Sequence, residues 1–316
     1  MSKKICVIGG GRWGENHIRT LFQMGNLAGI VETEPRRLKE LTDRYPVEGF
    51  SRLAAAREKK FDGYVLATPA ETHYPLGKEL LEEGLNTLIE KPLALSSRHS
   101  EELLAIATKS GARLMVGHLL LFHPAIKKIK ELIDGGKIGR LYYLYSTRLK
   151  LGTVRTRENV FWSFAPHDIS VLDYLVGRPS LKVTAGGGRF LQDQIEDVTL
   201  ARLEYPDNIR AHIFVSWLHP FKEQRLVVVG SRGMLSFDDS TRDKRLIYHE
   251  KRIDWREGKP VNVEGAGRVI DFEGRPPLAE ELGYFVANLD RKITISSGEA
   301  GHRVVQVLEA VQGQLG

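Results

Sequence analysis

The chain has 316 residues, of which 42% are hydrophobic and 27% are charged, and its formal net charge is +6. This composition excludes disordered and fibrous proteins, and the length predicts two domains. The Lys and Arg side chains are dispersed rather than gathered into a basic stripe, so we predict no nucleic-acid partner. The single cysteine, Cys6, has no partner for a disulfide, which is typical of a reducing compartment.

Two apolar segments bear on the cellular location. The first, 5–8, ends after four residues in a glycine turn, which indicates a strand rather than a secretion leader. The longest, 114–122, is interrupted by Gly117 and His118 and is far shorter than the ~20 residues that span a bilayer. We therefore expect a cytoplasmic protein with no membrane partner.

In the first part of the chain, short β-branched runs alternate with helical stretches, which is typical of parallel βαβ units. The predicted strands are 5–8, 27–31, 63–67, 86–89 and 113–117. The predicted helices between them are 14–24, 35–45, 74–83 and 97–109. This order predicts an α/β domain at residues 1–121, a doubly wound parallel sheet of the Rossmann type.

The pattern changes after residue 121. A helical segment, 124–134, precedes longer alternating runs at 141–149, 198–205, 209–218 and 225–230. Turn sequences separate these runs, which predicts a large, mostly antiparallel open sheet. A stretch rich in Gly and Pro, 258–277, is interpreted as a connection to two helical patterns, 278–292 and 299–315. Residues 122–316 are therefore predicted to form an α+β domain for substrate binding and oligomerisation. Because a broad exposed sheet face is usually buried, we expect a homodimer or homotetramer.

The sequence Gly9-Gly10-Gly11-Arg12-Trp13-Gly14 follows the first strand and opens the first helix. It fits the G-x-G-x-x-G pattern in the context that dinucleotide binding requires. The first glycine permits the tight turn, the second lets the backbone approach the pyrophosphate, and the third allows close helix packing. We predict cofactor contacts from Gly9, Gly11, Arg12, Trp13 and Gly14. No helical pattern follows the glycines at 186–188, which are interpreted as a turn at the end of a strand.

Glu32 ends the second predicted strand, eighteen positions after Gly14. An acidic side chain there accepts hydrogen bonds from the ribose hydroxyls and repels a 2′-phosphate, which favours NAD over NADP. Arg36 and Arg37 follow closely and leave open a contact with a 2′-phosphate.

Two further motifs come at the ends of the next strands: Ala67-Thr68-Pro69 and Glu90-Lys91-Pro92. In doubly wound folds this edge of the sheet binds ligands, so Lys91 is expected to face the site. A lysine beside a nicotinamide can hydrogen-bond a reacting hydroxyl and stabilise developing negative charge. A Lys-Pro turn in isolation is more often a surface feature.

Together these motifs resemble the Gfo/Idh/MocA family of sugar and cyclitol oxidoreductases, over essentially the full length of the chain. The markers are the glycine turn, Ala67-Thr68-Pro69 with Thr72-His73, Glu90-Lys91-Pro92, Val116-Gly117-His118 and Pro166-His167-Asp168. The resemblance implies a Rossmann domain followed by an antiparallel-sheet domain, with NAD as cofactor. It places Ala67, Thr68, Pro69, His73, Glu90 and Lys91 at the cofactor, and Lys91 and His118 at the substrate.

By the same resemblance, Lys91 orients the substrate hydroxyl and His167 takes its proton as hydride leaves the sugar carbon. An imidazole suits this reversible step because it titrates near neutrality. Many members carry an aspartate four residues before that histidine, where this chain has Ser163. Asp168 or a substrate group is then left to orient the imidazole.

Two stretches, 146–164 and 215–225, resemble the branch that oxidises nucleotide sugars, especially the 3-hydroxyl of UDP-N-acetylglucosamine. Arginine forks match phosphate oxygens, which would suit a nucleoside diphosphate. The substrate contacts implied there are Arg148, Arg155, Arg157, Asn159, His167 and Asp168. The alternative, that the arginines are solvated and Trp162 and Trp217 serve packing, stays open.

The sequence therefore predicts an NAD-dependent sugar dehydrogenase, with a UDP-sugar as its substrate and a 3-keto sugar as its product. Two alternatives remain: a dehydrogenase or reductase of a free sugar or inositol, and a non-catalytic dinucleotide-binding regulator. No metal is predicted, because the ten histidines show no HExxH or clustered carboxylate spacing.

Overall fold

The computed structural model describes residues 3–315, which form two compact units. The first unit runs up to Phe122 and also includes Arg275–Gln306, and the second comprises His123–Gly274 and the chain from Val307 onward. The sequence-based division at 121/122 assigns 275–306 to the second domain, whereas the structure returns this segment to the first unit. The reason is packing, because the helix Pro277–Ala287 contacts both the first helix, Arg12–Gln23, and the 3₁₀ helix Leu119–Phe122.

Within residues 3–315, the first unit is built on a six-stranded parallel sheet of order β3-β2-β1-β4-β5-β6. The strands are β1 Ile5–Ile8, β2 Leu27–Val31, β3 Glu48–Phe50, β4 Gly63–Leu66, β5 Thr87–Glu90 and β6 Leu114–Gly117. Every residue of β1, β4, β5 and β6 is buried. A sheet covered on both faces needs such continuous apolar runs, which is why these strands stand out in the sequence.

The helices of this unit differ in their capping, and α5 is capped at both ends. They are α1 Arg12–Gln23, α2 Pro35–Arg44, α3 Leu53–Arg57, α4 His73–Glu82, α5 Ser97–Ser110, α8 Pro277–Ala287 and the first part of α9, Gly298–Gln312. At the start of α5 the Ser96 hydroxyl accepts a hydrogen bond from the amide of His99, and Gly111 ends the helix at φ 77°. Helix α5 therefore begins at Ser97, the first residue of the predicted range, with Ser96 as its cap.

The second unit contains an eight-stranded sheet in the described part of the chain, of order β14-β13-β12-β11-β7-β10-β9-β8. The strands are β7 Leu141–Leu149, β8 Lys182–Gly188, β9 Val198–Glu204, β10 Arg210–Ser216, β11 Glu223–Gly230, β12 Met234–Asp238, β13 Leu246–Arg256 and β14 Lys259–Ile270. Strands β7 and β10 run parallel, and their other neighbours are antiparallel. The helices are α6 Pro124–Asp134 and α7 Val160–Val176, and α7 packs on β7, β9 and β10. The predicted fold class is confirmed.

The stretch 258–277 differs from its interpretation as a connection, because most of it is strand β14. It forms a hairpin with β13, in which Arg256 pairs with Lys259. The turn residues Glu257 and Gly258 have φ values of 52° and 75°, the positive values that a tight hairpin requires. The glycines inside β14 hide the strand pattern in the sequence, and only pairing with β13 reveals it. The glycines at 186–188 form the last three residues of β8.

No helix within residues 3–315 is both long enough and apolar enough to cross a bilayer.

Candidate active site

In the glycine turn, Gly9 and Gly14 are crowded by neighbouring backbone, whereas Gly11 faces free space. A Cβ on Gly14 would lie 1.9 Å from the carbonyl oxygen of Gly9, and one on Gly9 would lie 2.7 Å from that of Ala67. A Cβ on Gly11, in contrast, would meet no other described atom within 4 Å. Helix α1 begins at Arg12, directly after this open position, and the first amides of a helix have no carbonyl partner within it. This cradle fits a pyrophosphate held by backbone N–H groups.

The carboxylate of Glu32 lies against the same turn. Its Oε2 accepts a 2.7 Å hydrogen bond from the amide of Gly10, and its Oε1 accepts one of 3.0 Å from the amide of Glu34. The carboxylate therefore lies beside the glycine turn, and its contact with a ribose stays a prediction. Arg37 is engaged by the turn itself, since Nε donates to the Gly10 carbonyl at 2.9 Å and Nη2 to Glu15 at 2.6 Å. These contacts favour NAD over a 2′-phosphate.

Glu90 connects the glycine turn to the turn that carries Lys91. Its Oε1 accepts a 2.6 Å hydrogen bond from the indole of Trp13 and lies 2.8 Å from Nε2 of His17. Its Oε2 accepts a hydrogen bond from the amide of Lys91 at 3.1 Å. Burial alone would raise the pKa of Glu90, but the contacts with His17 and Trp13 and the charge of Lys91 lower it on balance. Glu90 is therefore held as a carboxylate, between the glycine turn and the turn that carries Lys91.

Sequence reasoning missed His17. It follows Trp13 by one helical turn on α1, so the two side chains share a face and both reach Glu90. That spacing after the glycine turn is the signal that could have found it.

His73, predicted at the cofactor, is buried at the start of α4. Its Nδ1 lies 2.7 Å from the carbonyl oxygen of Pro92, and its Nε2 lies 2.9 Å from that of Thr68. His73 therefore contacts the backbone of both turns. The peptide bond between Lys91 and Pro92 is cis. The other predicted cofactor residues of these turns are more accessible: Ala67, Thr68 and Lys91 are half-buried, and Pro69 is exposed.

His118, predicted at the substrate, directly follows β6 and is only 1% exposed. Neither of its ring nitrogens has a hydrogen-bond partner among the described residues. Burial lowers the pKa of His118 to about 4, so its imidazole is neutral at physiological pH. A neutral, buried ring cannot contact substrate without a rearrangement of its surroundings.

Glu281 on α8 is a second group that the sequence did not single out. It is fully buried, and neither carboxyl oxygen has a hydrogen-bond partner within residues 3–315. Burial, and then the charge of Glu90, raise the pKa of Glu281 well above its ordinary value. Ionisation of one of these two buried carboxyl groups therefore opposes ionisation of the other: the pKa of Glu90 is lowered, and that of Glu281 is raised.

In the second unit, the predicted base His167 lies on α7 and is half-buried. Its neighbour Asp168 is 3% exposed and accepts hydrogen bonds from Ser146 at 2.6 Å and from Arg148 at 2.8 and 3.1 Å. Burial lowers the pKa of Arg148, but Asp168 raises it on balance. Arg148 and Asp168, both predicted at the substrate, are therefore bound to each other.

The segment before α7 contains the other predicted substrate residues. The side-chain oxygen Oδ1 of Asn159 caps α7 by accepting a hydrogen bond from the backbone amide of Trp162 at 3.0 Å. Its amide donates to Glu196 and Gln312 at 3.0 and 2.7 Å. Asn159 is buried and serves the fold, because both ends of its side chain have partners within the unit. Arg155 and Arg157 are exposed.

The two tryptophans that sequence reasoning left open have different surroundings. Trp217 is fully buried, and its indole donates to Asp197 at 2.5 Å, so it serves packing. Trp162 is half-buried in the first turn of α7. Among the described residues, no group of three or more His, Cys, Asp or Glu side chains is arranged to hold a metal ion.

Comparison with known proteins places the chain in a family. Residues 3–118 match the oxidoreductase family with an NAD-binding Rossmann fold, GFO_IDH_MocA, and residues 126–236 match the GFO/IDH/MocA C-terminal domain. The chain belongs to the Gfo/Idh/MocA family. It is an NAD-binding oxidoreductase, which confirms the family resemblance and the cofactor predicted from the sequence.

Individual relatives span the chain at low identity. UDP-N-acetylglucosamine 3-dehydrogenase from Acidithiobacillus ferrooxidans is 25% identical over 98% of this chain and 97% of its own. Its crystal structure, at 22% identity, covers 100% of this chain and 98% of its own, with a TM-score of 0.87. Inositol 2-dehydrogenase from Rhizobium meliloti is 23% identical over 98% of this chain and 96% of its own.

One solved relative contains both a dinucleotide and a nucleotide sugar. The WlbA dehydrogenase from Bordetella pertussis, in complex with NADH and UDP-GlcNAcA, is 20% identical, with a TM-score of 0.80 over 99% of this chain and 96% of its own. At these identities the structural likeness shows a shared fold, and the substrates belong to the relatives.

Proposed function

We propose that the protein is an NAD-dependent dehydrogenase that oxidises the 3-hydroxyl of UDP-N-acetylglucosamine, or of a related UDP-sugar, to a ketone. The observation that carries the proposal is the link through Glu90, which accepts from Trp13 in the glycine turn and from the amide of Lys91. A lysine attached in this way to a dinucleotide cradle is suited to act on the carbon that exchanges hydride with the cofactor.

Lys91 has the chemistry to select the reacting hydroxyl. Its ammonium group donates to the hydroxyl oxygen and stabilises the negative charge that grows there as the proton leaves. The rigid turn reduces the conformational freedom of this side chain, because Glu90 and His73 hold the backbone on both sides of it.

His167 is proposed as the proton acceptor. A half-exposed imidazole can take the hydroxyl proton during oxidation and return it during reduction. Bound NAD supplies the acceptor for the hydride. Asp168 already accepts hydrogen bonds from Ser146 and Arg148, and we propose that the bound substrate takes part in orienting His167.

The UDP-sugar assignment is supported by similarity along nearly the whole chain to a UDP-N-acetylglucosamine 3-dehydrogenase. Of the arginines in the predicted substrate set, Arg155 and Arg157 are exposed, whereas Arg148 is paired with Asp168, so we propose that the two exposed side chains meet the diphosphate. Arginine is well suited to this because its guanidinium group matches two phosphate oxygens.

A free sugar or inositol is the second candidate substrate. The similarity to inositol 2-dehydrogenase covers as much of this chain, and two predicted polar contacts, Arg148 and Asn159, are used inside the protein. A non-catalytic regulator is disfavoured by Lys91 and His167, because such a protein has no need of either group.

The assay is NADH formation, followed by absorbance, with UDP-N-acetylglucosamine, other UDP-sugars, myo-inositol and free hexoses. A transaminase that consumes the keto product removes product inhibition. Lys91→Met and His167→Asn are expected to lower turnover by about a hundredfold or more while NAD still binds. Turnover on inositol alone would replace the UDP-sugar by the second candidate, and normal turnover in both variants would remove the proposed roles.

A homodimer or homotetramer is proposed through the face of the second sheet that points away from α7. Tyr143 and Leu200 on this face are 41% and 53% exposed, and Tyr143 and Tyr145 both stack on His212. Such an aromatic and aliphatic surface is typical of an interface between copies. Light scattering tests it, since a monomeric mass would contradict the proposal.

A further inference from the structure

The buried ring of His73 meets a carbonyl oxygen at each of its two nitrogens. Nδ1 lies 2.7 Å from the oxygen of Pro92, and Nε2 lies 2.9 Å from the oxygen of Thr68. The residue is 1% exposed, so water does not compete for either nitrogen. Both distances are typical of full hydrogen bonds to nitrogen.

A carbonyl oxygen can only accept a hydrogen bond. A neutral imidazole carries one N–H and one lone pair, whereas the imidazolium carries two N–H groups. In the neutral form, one of the two contacts would therefore set a lone pair against a carbonyl oxygen in a buried place. Both contacts are favourable only when the ring is doubly protonated.

We propose that His73 is an imidazolium that donates to Thr68 and Pro92 at once, and that this clasp is a positioning device for Lys91. Thr68 belongs to the turn after β4, and Pro92 follows Lys91 in the turn after β5. The clasp fixes the distance between the two turns at the ligand-binding edge of the sheet. His73 acts on Lys91 through the backbone and does not touch the reacting atoms.

The charged groups that act on His73 are Glu90 and Lys91. On balance the pKa of His73 is lowered, because burial is the largest effect and Lys91 adds to it, although the two carbonyl contacts and Glu90 raise the pKa. We nevertheless give the greater weight to the two directed contacts, because the backbone holds both carbonyl oxygens in place and supplies no hydrogen that could turn toward a lone pair.

The protonation state can be measured without substrate or cofactor. In the NAD-free protein labelled with ¹⁵N, the ring resonances of His73 are assigned through its backbone resonances. Nitrogen shifts distinguish protonated from unprotonated ring nitrogens. We expect both nitrogens of His73 to carry protons at neutral pH, and an unprotonated nitrogen there would overturn the clasp.

The positioning role rests on the proposed function, and kinetics test it separately. His73→Gln can donate to one carbonyl at most, so kcat is expected to fall by about tenfold while the Kd of NADH changes by less than about threefold. His99→Gln is the matched control, because His99 stacks on Tyr74 at 3.9 Å and has no contact with either carbonyl. It is expected to keep normal kcat.

The two failures can be told apart. If no candidate substrate is oxidised, the nitrogen resonances still decide whether His73 is an imidazolium. If the enzyme is active and His73→Gln retains the kcat of the wild type, the positioning role is wrong while the dehydrogenase assignment stands. If His73→Gln does not fold, the resonances of the unmodified protein remain the deciding measurement.

Discussion

The indole nitrogen of Trp13 donates a 2.6 Å hydrogen bond to Oε1 of Glu90. This contact joins the glycine turn after β1 to the Lys91 turn after β5, across 77 positions of sequence. Trp13 is 42% exposed beside the cradle, so the same side chain also borders the space proposed for the dinucleotide. One buried carboxylate, that of Glu90, therefore contacts both Trp13, a predicted cofactor contact, and the backbone of Lys91.

Replacing Glu90 by Gln is expected to weaken dinucleotide binding and to lower kcat together. A hydrogen bond to a charged group contributes about 1.5–3 kcal/mol, so the loss of charge should raise the Kd of NADH by roughly tenfold or more. Quenching of Trp13 fluorescence on titration with NADH reports the Kd. The control is Glu79→Gln, since Glu79 is a half-exposed residue on α4 paired with Arg57. An unchanged Kd and kcat in the Glu90 variant would contradict the link.

Glu32→Ala is expected to reduce the preference for NAD. The variant removes the carboxylate that the Gly10 and Glu34 amides hold in place and that would meet the ribose hydroxyls. The ratio of kcat/KM with NAD to kcat/KM with NADP should fall by about tenfold or more, mainly through KM for NAD. Asp43→Ala, which removes an exposed pair with Lys39 on α2, serves as the control. A ratio equal to that of the wild type would show that Glu32 takes no part in cofactor choice.

Glu281→Gln is expected to stabilise the protein at neutral and alkaline pH. The folded-state pKa of Glu281 is raised, so its favourable contribution is full below the ordinary pKa of 4.5 and is lost as the pH rises above that value. Gln resembles the protonated form and does not ionise, so the variant escapes this loss. Its Tm should exceed that of the wild type by about 2–8 °C at mildly alkaline pH. The difference should shrink as the pH approaches 4.5.

The control for this experiment is the adjacent Glu280→Gln, which removes a surface pair with Arg275. Surface pairs contribute about 0–1 kcal/mol, so its Tm should follow that of the wild type across the pH range. A Glu281 variant whose Tm falls below that of the wild type at alkaline pH would show that the carboxylate is stabilising.

Asp168→Asn is expected to destabilise the fold, in addition to any effect on catalysis. It leaves the guanidinium of Arg148, whose side chain is 14% exposed, without its counter-charge, and breaking one half of a buried pair costs about 3–5 kcal/mol. Arg148→Met in the same protein should recover part of the loss, because the unpaired charge is removed as well. Urea denaturation of the two single variants and the double variant measures this coupling. Additive losses would contradict a paired role.

Exposed Arg155 provides the comparison for substrate binding. Arg155→Met should leave stability unchanged and raise KM for a UDP-sugar by about fivefold or more if the diphosphate binds there. A KM equal to that of the wild type would favour the inositol alternative.

The sequence by itself determined much of the architecture and one edge of the site. Short apolar runs mark β1, β4 and β6 because both faces of the parallel sheet are covered. The glycine turn, Glu32 and Lys91 follow from short spacings along the chain, since local geometry sets where a turn after a strand must lie. Strand β3 was not predicted, because it has only three residues and Phe50 alone among them is buried.

Only the tertiary structure decided which polar groups meet. Glu90 lies 73 positions from His17, and Ser146 lies 22 positions from Asp168, distances over which no periodicity carries a signal. The same holds for the return of 275–306 to the first unit and for the burial of Glu281. Local patterns specify elements because backbone preferences act over a few residues. The partners of a buried charge are set when separate elements pack together and exclude water. Sequence patterns do not show which distant elements will meet.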